Sequence, residues 1–137
     1  MDLSDRLNDK INALPDLPYT CFVNYLSGNS GLSLVPSPGS TDIQFDWAGN
    51  AKKKVNYTVT IRDKNKSALL ESTLWRITDM LENITALPSR DNSYQFNGLQ
   101  ITGLPSLEFQ DANNFSQYVM SFSVFIFQTK EMLTKGE

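Results

Sequence analysis

The sequence lacks histidine altogether and contains a single cysteine, Cys21. A Ser-His-Asp triad, a Cys-His nucleophile pair and a His-ligated zinc site all need histidine, so these three kinds of site are excluded. One cysteine cannot form a disulfide within the chain. Because Cys21 lies in an apolar stretch, we expect it to be a small buried side chain in a reduced, intracellular protein.

The chain also lacks a long apolar run and an excess of positive charge. It has no stretch of about 18 apolar residues, so we expect no transmembrane helix. The polar start of the chain does not resemble a signal peptide. Lys and Arg number 12 against 15 Asp and Glu, a net charge of −3, whereas nucleic-acid-binding domains usually carry a basic excess. We therefore expect a soluble protein made in a cytoplasm, with no membrane partner.

No spacing of carboxylates or glycines indicates a catalytic, cofactor or metal site. The candidate general acids and bases in predicted strands and turns are Asp42, Asp46, Glu108 and Asp111. Their spacing does not indicate that two of them converge, and Asp is a common turn residue. Residues 111–114 lack the glycine and the bidentate glutamate of a calcium loop. The sequence therefore predicts no catalytic residues, no cofactor and no metal, in a protein that is not an enzyme.

The residues that are present suit a packed domain. The chain has 137 residues, of which 40% are hydrophobic, about the length and apolar content of one domain. We expect residues 1–137 to form that domain. Residues 27–40 are rich in Gly, Pro and Ser, which predicts a flexible loop. Residues 130–137 are polar and are predicted to be a frayed tail.

Two stretches have the apolar spacing of amphipathic helices. Apolar residues recur at intervals of three and four over residues 2–14 and again over residues 67–87. Pro15 and Pro88 follow these stretches and are expected to end the helices. The second stripe spans only about two heptads and is flanked by predicted strands, so we expect this helix to pack on a sheet.

Alternating apolar and polar residues predict the strands. Residues 42–47 and 55–61 each have one apolar face, and the turn between them predicts an antiparallel hairpin. The longest strand signal covers residues 117–127. This strand is apolar on both faces at its end, because Phe125 and Phe127 add to the opposite stripe, and such a strand is usually central and covered on both sides.

Shorter strands complete the predicted sheet. They cover residues 19–26, residues 93–102 as a hairpin or bulged strand around Asn97-Gly98, and residues 104–110, where Pro105 favours an edge position or a break near the start of the strand. The order of elements predicts an α+β fold, with a mostly antiparallel sheet and two helices packed on one face.

Three consecutive lysines, Lys52, Lys53 and Lys54, stand at the start of the second hairpin strand. They cannot all face one way in a strand, and lysine commonly protects exposed edges. We interpret them as edge or subunit-interface residues rather than as a DNA contact. Trp47 and Trp75 are interpreted as core or subunit-contact anchors.

Several segments carry a resemblance to a known family. They are Ile43-Gln44-Phe45-Asp46-Trp47-Ala48-Gly49, the strand and helix that follow it, Phe96 to Ile101, Leu107 to Asp111 and the closing strand from Gln117. In their order, their spacing and the total length, they resemble small minor capsid proteins of Gram-positive-infecting siphophages. These are similar to the tail terminator proteins of lambda-type phages. The resemblance covers residues 3–127, and none of its motifs is a catalytic signature.

The resemblance implies a virion protein of the head–tail junction, assembled in the cytoplasm of a host bacterium. It implies a ring of identical subunits, usually a homohexamer, that caps the completed tail tube and joins it to the head connector or stopper protein. DNA would pass through the ring without a dedicated binding site. By this analogy the candidate subunit or partner contacts are Trp47, Lys52, Lys53, Lys54, Phe125 and Phe127.

Two alternatives remain open at this point. The chain could be a head-completion or stopper protein, which belongs to the same class of assembly proteins. It could also be a small non-enzymatic module that binds a ligand or peptide in a cleft between sheet and helices.

Overall fold

The computed structural model describes residues 1–24, 30–39, 41–45 and 49–129. The helices and strands of these residues are α1 (Leu3–Asn12), β1 (Cys21–Val23), β2 (Gly31–Pro36), β3 (Thr41–Phe45), β4 (Ala51–Lys64), α2 (Ser67–Glu82), β5 (Gln95–Gln110) and β6 (Phe115–Gln128). The predicted hairpin, central helix and long closing strand are all present, although their ends differ from the predicted ones. The predicted tail, residues 130–137, lies outside the described residues.

The strands form one sheet in the order β1-β2-β4-β6-β5, and β3 pairs with the start of β4. β1 and β2 are parallel, whereas all other pairs are antiparallel. β4 and β6 pair along 14 residues, from Ala51–Gln128 to Lys64–Phe115. β6 therefore lies between β4 and β5, so its predicted central position is confirmed.

Both helices pack on the same face of this sheet and share one core with it. The apolar stripe of α1, Leu3, Leu7 and Ile11, is fully buried. The stripe of α2 is fully buried as well: Leu70, Leu74, Ile77 and Leu81. Across from them lie the inward side chains of the two long strands, Tyr57, Val59, Ile61, Met120, Phe122, Val124 and Ile126. The predicted α+β architecture, with two helices on one face, is confirmed.

The central helix is shorter than its apolar spacing predicts. The pattern predicts a helix over residues 67–87, whereas α2 ends at Glu82. Asn83 donates a side-chain hydrogen bond to the carbonyl oxygen of Asp79 at 2.8 Å. Helix is disfavoured after this point, because Ile84 and Thr85 are β-branched. Pro88 also disfavours the helical backbone conformation of the residue before it. Leu87 is nevertheless buried, so an extended segment continues the apolar contacts that looked helical.

The predicted loop over residues 27–40 is wrong for residues 31–36, which form β2. Leu32 and Leu34 of this strand are fully buried and pair with Ile61 and Val59 of β4. Two alternating leucines are a weak local signal among Gly, Ser and Pro, and the backbone bonds to β4 determine the strand. β1 is also shorter than predicted, because Asn24 adopts a left-handed backbone (φ 61°) directly after Val23.

The region after α2 forms one long strand instead of two short ones. β5 runs without a break from Gln95 to Gln110, and among the described strands it pairs only with β6, so the edge position is confirmed. Its register shifts at four places, the first of them between Phe96 and Gly98. These bulges break the alternation of the sequence and explain why a single strand looked like two.

Asn12, the last residue of α1, binds the backbone of the outermost short strand. Its side chain accepts a hydrogen bond from Cys21 N at 2.7 Å and donates one to Cys21 O at 3.0 Å. The amide thus takes the place of a neighbouring strand along the free edge of β1. The buried residue Cys21 owes both of these backbone hydrogen bonds to a helix.

We expect Asn12→Ala to lower the free energy of unfolding by about 1–3 kcal/mol, because the NH and CO groups of a buried residue both lose their partner. Urea unfolding of the two proteins measures the difference. Asn97→Ala, which removes an exposed Asn side chain from β5, is the matched control and should change the free energy of unfolding by less than about 0.5 kcal/mol. Equal losses in the two variants would contradict the proposed role of Asn12.

Candidate interaction surface

The face of the sheet opposite α1 and α2, here called the open sheet face, holds four of the predicted contact residues. Directly paired residues of antiparallel strands share a face. Lys54 pairs with Phe125 and Lys52 pairs with Phe127. Phe125 and Phe127 are half-buried and Lys52 is exposed, so two cations lie beside two accessible aromatic rings.

Lys53 does not join this group. Lys53 pairs with Ile126, a fully buried core residue, and therefore faces the helix side of the sheet. Trp47 lies outside the described residues. The interpretation of the lysines as edge residues is wrong, because β3 flanks Lys52, Lys53 and Lys54 on one side and β6 flanks them on the other.

The open sheet face is cationic along β4. The outward positions of this strand are Lys52, Lys54, Asn56, Thr58, Thr60, Arg62 and Lys64, and they include no carboxylate. Their partners on β6 are Phe127, Phe125, Ser123, Ser121, Val119, Gln117 and Phe115, and none carries a charge. In the described part of the chain, neither Lys52 nor Lys54 is paired with a carboxylate.

Gly98 leaves one side of Phe125 open. It is the β5 residue opposite Phe125, and its φ of 140° is one that L side chains rarely adopt. A Cβ atom built there would have no heavy atom within 4 Å. The ring of Phe125 therefore borders free space on the β5 side, where an incoming side chain could pack against it.

The exposed side of α2 carries a second apolar feature. Trp75 retains 39% of its surface and Leu69 retains 40%, so Trp75 is not a core residue and stays a predicted contact residue. Around them lie the carboxylates Glu71, Asp79 and Glu82, all exposed. Arg76, the cation of this helix, donates hydrogen bonds to carbonyl oxygens of the segment after α1, Pro15 O and Asp16 O.

A third apolar group lies on the edge strand and was missed from the sequence. Leu104, Leu107 and Phe109 of β5 are each about half exposed. The only sequence signal was their apolar character in a stretch interpreted as an ordinary short strand. Residues 106–110 are exposed on both faces of β5, so this end of the strand extends beyond the core, and no local pattern reports that.

The described residues offer little for chemistry. They contain no group of three Cys, Asp or Glu side chains that could hold a metal ion. Burial raises the pKa of the Cys21 thiol to about 12, so the reactive thiolate is scarce at neutral pH. Of the four candidate carboxylates, Glu108 is exposed on β5, and Asp111 accepts backbone hydrogen bonds from Asn113 and Phe115 in its turn. Asp42 belongs to β3, and Asp46 lies outside the described residues.

An open cleft of about 410 Å³ lies beside the segment that follows α2. Its walls are residues 85–89, Asn92 and residues 94–96, none of them charged. Tyr94 closes its floor by donating a hydrogen bond to Leu87 O at 2.8 Å. The volume suits a small ligand. The cleft has no charged group that would select one.

The helices of the described residues include none that is long and apolar enough to cross a membrane. No protein-family model matches the chain, and no curated protein matches it. Among solved structures, 23 chains match. One of them belongs to a structure described as the virion of a native gene transfer agent particle. The match covers 91% of this chain and 94% of the other, with a TM-score of 0.67 and 13% sequence identity. At that identity the likeness establishes a shared fold.

Proposed function

We propose that the protein is a structural protein of a bacteriophage-like virion, and specifically a tail terminator at the head–tail junction. Its ring would cap the completed tail tube and present a face to the head connector. The observation that carries this proposal is the fold likeness to a virion chain, because it extends over nearly the full length of both chains. The resemblance noted in the sequence to minor capsid and tail terminator proteins supports the same role.

The surface of the molecule suits assembly rather than catalysis. Aromatic side chains are accessible on the open sheet face and on α2, and rings at such positions often anchor protein interfaces. A ring of identical subunits needs a head-to-tail contact whose rotation closes. In this proposal the protein acts by shape: a closed ring covers the last ring of tube subunits and stops growth. The partners are further copies of the chain, the tube protein and the connector or stopper protein. No cofactor or enzymatic step is needed.

The mass of the purified protein tests the proposal. Light scattering and native mass spectrometry across a concentration series should show a closed oligomer near six subunits. Electron microscopy should then show caps on tail tubes assembled from the tube protein of the same genome. A protein that stays monomeric at every concentration and leaves tail tubes uncapped would overturn the assignment.

Two other outcomes would identify the alternatives. A ring that binds the portal-side connector and ignores tubes would indicate a stopper or head-completion protein. A monomer whose melting temperature rises with a small molecule would favour a ligand-binding module. In that case Ala86→Asp, at an exposed position of the cleft beside α2, should abolish the stabilisation.

A further inference from the structure

The two accessible aromatic surfaces carry opposite charge. On the open sheet face, Phe125 and Phe127 lie beside Lys52 and Lys54. We call these four residues the basic patch. Successive outward residues of a strand are about 7 Å apart, so the four residues occupy one compact area of the open sheet face. The chain itself supplies no carboxylate partner to either lysine within the described residues.

The outer side of α2 has the complementary pattern. Glu71, Trp75 and Asp79 follow each other at four-residue steps, which place them one above the other about 6 Å apart. We call these three residues the acidic patch. All three are exposed. Among the described residues, neither carboxylate is paired with a cation. The exposed indole thus lies between two unpaired negative charges.

We propose that the basic patch of one copy docks on the acidic patch of α2 of a second copy. This inference rests on the proposed function, since a ring-forming protein needs one such contact per subunit. Within one molecule the helices cover the other face of the sheet, so the two patches cannot meet there. The contact is therefore head-to-tail, and a chain that presents both halves can build a ring.

Charge excludes the symmetric arrangements of the same surfaces. A dimer through the open sheet face would bring Lys52 and Lys54 of two copies together. A dimer through α2 would oppose Glu71 and Asp79 to themselves. Like charges that meet across an interface oppose association. Only the contact between unlike surfaces pairs every one of these charges while it buries the three aromatic rings.

A second copy of the chain accounts for both patches, whereas a nucleic acid accounts only for the basic one. A nucleic acid would account for the cations of β4, yet it would leave Trp75 and its flanking carboxylates without a partner. The net charge of −3 further opposes a nucleic-acid ligand for the molecule as a whole. The acidic patch needs a partner surface that is both cationic and apolar, and the basic patch of a second copy is such a surface.

Charge reversal in two separate variants tests the pairing. Lys52→Glu/Lys54→Glu makes both patches of a copy acidic, and Glu71→Lys/Asp79→Lys makes both basic. We expect each variant alone to associate at least 100-fold more weakly than the wild type. An equimolar mixture should recover assembly, because acidic and basic copies can then alternate. Native mass spectrometry with one variant isotope-labelled should find equal numbers of the two copies. Asp5→Lys/Glu108→Lys, which reverses two exposed carboxylates on α1 and β5 outside both patches, is the control and should assemble like the wild type.

The outcomes separate this inference from the proposed function. Circular dichroism and melting temperature confirm that each variant is folded, and Lys52→Gln/Lys54→Gln is the milder variant if the reversal unfolds the chain. Assembly that survives either reversal, or a mixture of folded variants that stays dissociated, would overturn the inference and leave a ring possible. If the wild type assembles, each reversal variant dissociates and their mixture reassembles, but none of these assemblies caps tail tubes, the terminator role is overturned and the inference stands. If DNA binding is lost in the lysine variant while assembly is kept, the basic patch is a nucleic-acid surface and the inference is wrong.

Discussion

Replacing Phe122 with alanine is expected to lower the free energy of unfolding by about 3–5 kcal/mol. Phe122 is fully buried on the central strand β6. Its ring stacks on Tyr57 of β4, with 5.5 Å between centroids and 18° between planes. The hydroxyl of Tyr57 in turn shares a hydrogen bond of 2.8 Å with Ser4 of α1. The substitution therefore leaves a cavity where the two long strands and the first helix meet, and these elements can collapse only partly.

Urea unfolding measures this loss, and a second phenylalanine of the same strand provides the control. Phe125 is three residues further along β6, on the open sheet face, where it is only half-buried. Phe125→Ala removes the same atoms and should cost less in the monomer, about 1–3 kcal/mol, because part of the ring surface of Phe125 stays in contact with solvent. Equal losses for the two variants would mean that Phe125 is a core residue, and the assignment of an open sheet face would fail.

The residues that sequence alone placed correctly are those whose signal is local. The stripe Leu70, Leu74, Ile77 and Leu81 reports the buried side of α2 through its spacing. The alternation of β6 reports its buried face in the same way. Phe125 and Phe127 were recognisable as additions to the opposite face, because a strand that is apolar on both sides is unusual outside the middle of a sheet.

Other features depend on distant parts of the chain and were therefore hidden. Leu32 and Leu34 look like isolated apolar residues in a loop until β4 pairs with them. The alignment of Lys54 with Phe125 depends on the register between β4 and β6, and these two residues are 71 positions apart in the sequence. A local sequence pattern cannot report a pairing over that distance. Trp75 lies on the outer side of α2, between Glu71 and Asp79, and its large apolar side chain alone left it undecided between core and contact.

Trp75→Ala is expected to separate stability from assembly more sharply than any other single substitution. Trp75 is exposed over 39% of its surface and alanine is the best helix former, so the loss in the free energy of unfolding should be about 1–2 kcal/mol, below the 3–5 kcal/mol of a fully buried ring. Tryptophan at the centre of an interface often contributes 2 kcal/mol or more to binding. We therefore expect self-association to weaken at least about 30-fold.

Analytical ultracentrifugation measures this change, with Phe109→Ala as the matched control. Phe109 is comparably exposed, at 44%, but it lies on edge strand β5, outside both patches, so its removal should leave the association constant unchanged. A Trp75–Phe125 double-mutant cycle then tests whether the two rings meet across the contact. If they do, Trp75→Ala and Phe125→Ala should couple by at least about 0.5 kcal/mol, whereas residues at separate surfaces add within that margin. Additive losses would place Trp75 and Phe125 in different contacts and would rule out a single head-to-tail interface built from both patches.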